Sequence, residues 1–68
     1  MKTLLVIDDE ESVRYSFRSI FSADGVEVLT AATGQEGILI ARTRKPDVVV
    51  VDLQLPDMSG LEVFAEIH

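Results

Sequence analysis

Short unbroken apolar runs alternate along this chain with apolar residues set at helical spacing. Residues 4–7 (LLVI) form a run that stops at Asp8, as a buried parallel strand does. From Glu11 onward Val13, Phe17, Ile20 and Phe21 recur at steps of four, three and one, tracing one helix face, while Arg14, Arg18 and Ser19 lie off it. Gly25 predicts a left-handed stop that ends this helix near Asp24, and Glu10 stands four residues before Arg14, a spacing that predicts a surface pair.

Residues 26–30 alternate apolar and polar side chains with β-branched residues among them, which predicts a second strand near an edge of the sheet. Thr33 and Glu36 make a T-x-x-E capping box, so a second helix follows, to about Arg44. In it Ile38 and Ala41 can face a core, but Leu39 and Ile40 cannot both join them; at least one is expected to be exposed or covered by a partner. Pro46 closes the helix. Residues 47–53 then predict a third strand, whose four valines show no polar alternation and are expected to be covered on both faces. Ser59 and Glu62 repeat the capping-box spacing before a third helix carrying Leu61, Val63, Phe64 and Ile67, within which His68 falls. Phe17, Phe21 and Phe64 are expected in the core, and Tyr15 partly exposed.

The order β-α-β-α-β-α, with connections of helix length, indicates an α/β fold with a parallel sheet in which strand one sits between two and three. The valine-rich third strand is left with an open edge, so self-association of the chain through that edge is expected.

Composition narrows the function. The 68 residues leave room for one domain, and a chain this short buries only about 60% of its unfolded surface, so stability is expected to be marginal. Six basic against twelve acidic residues give a formal net charge of -6, which argues against direct nucleic-acid binding by this segment and suits a cation or a basic partner face. Cysteine is absent, so neither a disulfide nor a thiolate metal site supplements the core. No apolar stretch approaches the ~20 residues of a membrane span, and the opening MKTLLVIDDE carries charge too early for a signal peptide. A chain in the cytoplasm, with no membrane contact, is the expectation.

In such a sheet ligands gather at the carboxyl ends of the strands, near the point where strand order reverses. Asp8 and Asp9 end the first strand and Asp52 lies at the end of the third, its neighbour. Taken singly, Asp8 and Asp9 could cap the first helix, and Asp52 could be a loop carboxylate. Together they bring three carboxylates to one place, where either a held proton or a bound cation must offset their repulsion. Few, hard oxygen ligands favour magnesium or manganese. Neither G-x-x-x-x-G-K-[ST] nor G-x-G-x-x-G occurs, and His68 is the sole histidine, so nucleotide cradles and serine–histidine–acid sets are not supported. A carboxylate nucleophile beside a divalent cation is the best chemical option, because aspartate can accept a phosphoryl group covalently.

The stretches LLVIDDE and PDVVVVDLQLPDMSGLEVF resemble the receiver domain of two-component response regulators, over all 68 residues. The resemblance implies a flavodoxin-like doubly wound sheet of strand order 2-1-3 and identifies residues 1–68 as an amino-terminal part of a receiver domain. Asp52 matches the family's phosphoacceptor, Asp8 and Asp9 its acid pair, and Pro56 and Gly60 its loop proline and glycine. By the same resemblance Asp9 and Asp52 ligate magnesium through their side chains, Gln54 through its backbone carbonyl, and Asp8 mainly through water. The implied partners are a sensor histidine kinase and an output domain in the parent chain, with DLQLPDMSG pointing toward regulators of transcription. The family pattern continues for two further strands and helices, with a Ser or Thr and a Lys that contact the phosphoryl group; neither position falls within these residues.

The resemblance implies a signalling input rather than a turnover enzyme. A metal-dependent phosphohydrolase is the first rival, but it calls for an acid two residues after the nucleophile, where Gln54 stands. A self-associating structural fragment without phosphotransfer activity is the second.

Overall fold

The structure, a computed structural model, describes residues 1–67; His68, expected inside the third helix, lies outside the described residues. The elements are β1 (Thr3–Ile7), α1 (Glu11–Ser22), β2 (Glu27–Ala31), α2 (Gly34–Arg44), β3 (Val48–Val51) and α3 (Gly60–Ile67). The three strands are parallel in the order β2-β1-β3, with β1 in the centre, as the pattern predicts. Central β1 is apolar throughout because both its faces are covered: Leu4, Leu5, Val6 and Ile7 are all buried. Leu5 and Ile7 point into a core with Ile38, Ala41 and Val63, from α2 and α3. Their neighbours Leu4 and Val6 alternate to the opposite face, where α1 packs.

Local chemistry sets the element ends. Thr33 Oγ1 accepts from the Glu36 N–H at 3.2 Å, and Ser59 with Glu62 completes the reciprocal box at 3.1 and 3.2 Å. Glu36 reaches back to the Ala32 N–H at 2.9 Å, one residue earlier than the box formula gives. Gly25 takes a φ of 78°, the left-handed turn that its position predicts after α1.

Several expectations are corrected. Strand two begins at Glu27, because the Val26 N–H still bonds back to the Phe21 carbonyl at 3.3 Å, and it gains Ala31, paired with Ile7. Strand three is confined to Val48–Val51, the residues with a register partner on β1, rather than 47–53. The valines are not covered on both faces. Val48 is 54% exposed and its three successors are half-buried, since α1 sits over β1 and β2 and leaves a hollow of about 490 Å³ between Phe17, Phe21, Val48 and Val50. Phe17 and Phe21 stack at 5.8 Å on the edge of that hollow and are half-buried, while Phe64 is 55% exposed. Ile20 is exposed too, because Val13, Phe17 and Phe21 form the stripe that meets the sheet. Arg14 donates to the Asp8 carbonyl instead of pairing with Glu10. The choice between Leu39 and Ile40 is decided as the spacing requires, with Leu39 exposed and Ile40 packed on the core.

Candidate functional site

The last ladder pair between β1 and β3 is Ile7 with Val51, and the next residue on each strand is an aspartate. Backbone bonds carry both one step further: the Asp52 N–H donates to the Ile7 carbonyl at 2.9 Å, and the Asp8 N–H to the Ala31 carbonyl at 3.0 Å. The two carboxylates therefore leave adjacent strand ends on the same side of the molecule, with Asp9 following on the turn into α1. One oxygen from each of Asp8, Asp9 and Asp52 lies within 4.8 Å of the others. Asp8 and Asp52 are half-buried and Asp9 is exposed, so the cluster opens to solvent on the Asp9 side.

The surroundings fix the backbone more than the carboxylates. Arg14 Nη1 donates to the Asp8 carbonyl at 2.8 Å, tying α1 to the end of β1. The Glu10 N–H donates to Asp8 Oδ1 at 2.9 Å, an Asx-type turn, so Asp8 does contribute to the start of α1 as well as to the cluster. The Gln54 N–H points at Asp52 Oδ1 at 3.4 Å. Gln54 also pairs with Ser59, but through flanking bonds, Gly60 N–H to Leu53 carbonyl at 2.8 Å and Leu55 N–H to Met58 carbonyl at 3.1 Å. That pattern leaves the Gln54 carbonyl outside the pairing. Pro56 and Asp57 form the exposed tip of this small loop. Gly60 sits against the carbonyl of Asp52, where a β-carbon would collide with the oxygen.

Three convergent carboxylate oxygens with an open side are a hard, anionic donor set that suits a small divalent cation retaining several waters. All three acidic residues expected at the site are thus brought together, Gln54 lies two residues on from Asp52, and Gly60 closes the loop behind it.

One residue of this region gave no signal in the sequence. Asp57 accepts from the N–H groups of Gly34 and Gln35 at 2.8 and 2.9 Å, clasping the start of α2 from the loop after β3. Those bonds to its charged form hold the Asp57 carboxyl below its ordinary value of 3.8. The start of α2 already reads as complete with Thr33 and Glu36, so no local pattern demands a second cap from more than twenty residues away.

The family model for the response regulator receiver domain matches residues 4–68. The chain belongs to that family. This receiver is 40% identical over 68 residues to the KDP operon transcriptional regulatory protein KdpE of Escherichia coli, covering 100% of this chain and 30% of that protein. It is 39% identical over 67 residues to the alkaline phosphatase synthesis transcriptional regulatory protein PhoP of Bacillus subtilis, covering 98% of this chain and 28% of that one. Among solved structures it matches a CheY-like response regulator receiver domain protein from Methanospirillum hungatei with a TM-score of 0.97 and 32% identity, over 100% of this chain and 54% of that one. The Vibrio cholerae chemotaxis protein CheY4 matches with a TM-score of 0.93 and 33% identity, over 98% and 56%. The receiver thus spans less than a third of the two regulators and a little over half of the two solved chains. The order β2-β1-β3 of this chain, with its match to those CheY-like structures, bears out the flavodoxin-like order 2-1-3.

Proposed function

We propose that Asp52 accepts a phosphoryl group from a sensor histidine kinase in a magnesium-dependent reaction, and that the parent chain passes the signal to an output domain that regulates transcription. The observation that carries this reading is the convergence of Asp8, Asp9 and Asp52 within 4.8 Å at the carboxyl end of a receiver-family sheet. Asp9 and Asp52 side chains and the Gln54 carbonyl would hold the cation, with Asp8 acting mainly through water. A bound divalent cation supplies charge neutralisation on the transferring oxygens. An Asp52 carboxylate oxygen attacks phosphorus as the phosphorus–nitrogen bond to the kinase histidine breaks, and the electron pair leaves with the imidazole. Asp8 is held for its part by the Glu10 N–H and, through its carbonyl, by Arg14.

Two of the relatives are named as transcriptional regulatory proteins, which supports the output assignment. Among the described residues no helix is long and apolar enough to cross a membrane, and the acidic balance of -6 disfavours a nucleic-acid backbone as the direct ligand of this segment. We place the receiver in the cytoplasm, where a kinase of this type would meet it, and read residues 1–68 as one partial receiver domain that does not turn over substrate. A phosphohydrolase finds less support, since Gln54 offers no second acid beyond Asp52.

Titration of the chain with magnesium, followed by a beryllofluoride phosphoryl mimic, tests the reading. Saturable binding in the wild type that is lost in Asp52→Asn is expected; no binding in the wild type overturns it. A second reading, pairing of two copies through β3, is favoured by that strand's bonding only to β1 among the described residues and by the exposure of Val48. The molecular mass followed during the same titration decides it: the mass of two copies supports it, and a monomer at all concentrations refutes it.

A further inference from the structure

Residues 52–59 carry the acceptor aspartate at one end and mostly exposed side chains in the middle. A loop of that kind moves unless something outside it takes hold. Its ends are fixed by the Asp52 N–H on β1 and by the bond from the Gly60 N–H to the Leu53 carbonyl. Among the described residues, the hydrogen bonds that tie its middle to a sequence-distant element both end on Asp57, at the N–H groups of Gly34 and Gln35. Beside them Met58 lies on Gly34, where a β-carbon would collide with Met58 Cγ and stand 2.7 Å from its Sδ. The loop is thereby seated on the first turn of α2.

We infer that Asp57 is a positioning residue for the acceptor site: by gripping α2 it holds residues 52–59 in the arrangement that keeps Asp52 beside Asp8 and Asp9. The role in magnesium binding rests on the acceptor-site reading above. The bonds serve the helix as well, since Thr33 takes only the Glu36 N–H and Asp57 takes those of Gly34 and Gln35, so the loop's share is separated by comparison with a cap that lies outside the loop. A carboxylate at this place is favoured by the positive end of the helix dipole and makes two charge-assisted bonds at once, which a single hydroxyl cannot do. The lowered proton affinity of Asp57 agrees with two donors facing its charged form.

The test compares Asp57→Ala with Thr33→Ala in the whole chain. Each removes a cap from the same helix end, but only Asp57 belongs to the loop. Amide hydrogen exchange followed by nuclear magnetic resonance, with and without magnesium, reads the loop through the Leu55 and Gly60 amides, and calorimetric titration reads magnesium. Asp57→Ala is expected to speed exchange at both amides and to weaken magnesium binding about tenfold, the scale of an outer-shell change at a metal site. Thr33→Ala should alter neither, and Asp57→Asn, which keeps one acceptor oxygen, should recover part of the affinity.

Unchanged exchange at Leu55 and Gly60 in Asp57→Ala overturns the inference, as does an equal effect of Thr33→Ala. Faster exchange with undiminished magnesium affinity also overturns it, since the loop would then move without disturbing the site. A wild-type chain that binds no magnesium sinks the acceptor-site reading instead. In that case faster loop exchange in Asp57→Ala alone still supports the hold of Asp57 on the loop.

Discussion

Gly60 packs against the backbone carbonyl of Asp52, and its own N–H bonds to the carbonyl of Leu53 at 2.8 Å. The first residue of α3 therefore buttresses the chain where residues 52–59 leave β3. Backbone on both sides leaves no flexible side chain to give way. Gly60→Ala is expected to destabilise the fold by about 1–3 kcal/mol, the range for an overpacked site, and to weaken magnesium binding. A urea midpoint equal to that of the wild type would show that the loop yields without cost.

Asp8 and Asp9 are neighbours in sequence with unequal freedom. Asp8 already engages one oxygen with the Glu10 N–H at 2.9 Å, whereas Asp9 is exposed at the open side of the cluster. Asp8→Ala is expected to weaken magnesium binding by about tenfold, as loss of an outer-shell carboxylate does, and Asp9→Ala by clearly more. Equal losses in a calorimetric titration would remove the distinction.

The clasp of Asp57 on α2 predicts a pH dependence. Its carboxyl is more acidic in the folded chain than the ordinary 3.8, so its contribution is fully present above about that pH and is lost as pH falls through the depressed folded value. Comparison with Asp57→Asn isolates that contribution. The stability difference between wild type and Asp57→Asn, from urea midpoints, should shrink on acidification below pH 3.8. A difference that stays constant or grows there contradicts the assignment.

Gly37 offers a test of packing against propensity. Alanine in mid-helix ordinarily gains about 0.8–1.0 kcal/mol over glycine. Here a β-carbon would run into the Ile7 side chain, 2.7 Å from Cγ1 and 3.0 Å from Cγ2, and Ile7 is fully buried. Overpacking of about 1–3 kcal/mol exceeds the helical gain, so Gly37→Ala should lower the melting temperature. A raised melting temperature would mean that Ile7 can repack.

Much of the architecture was legible because the signals are local. Glycine and proline marked helix ends, two capping boxes marked helix starts, and the LLVI run ended in the aspartate pair. What misled was burial. The sequence pattern predicts four valines covered on both faces, yet α1 packs over β1 and β2, so that face of β3 stays open and Val48 is 54% exposed. Residue type alone puts Phe64 in the core, while its neighbour Val63 turns inward and is fully buried, with Ile67 packed on the same core. Glu10 has the spacing to pair with Arg14, but Arg14 donates to the Asp8 carbonyl instead.

The sequence by itself determined the order of elements, the parallel sheet with β1 in its centre, and the candidacy of Asp8, Asp9 and Asp52, because apolar period, capping spacing and turn residues act over a few positions. Only the tertiary structure decided that those three carboxylates meet within 4.8 Å, that Gly60 abuts Asp52, and that Asp57 holds the start of α2. Each of these joins residues brought near by strand register or by the packing of α3 beside α2, and contacts of that kind leave no period in the chain to read.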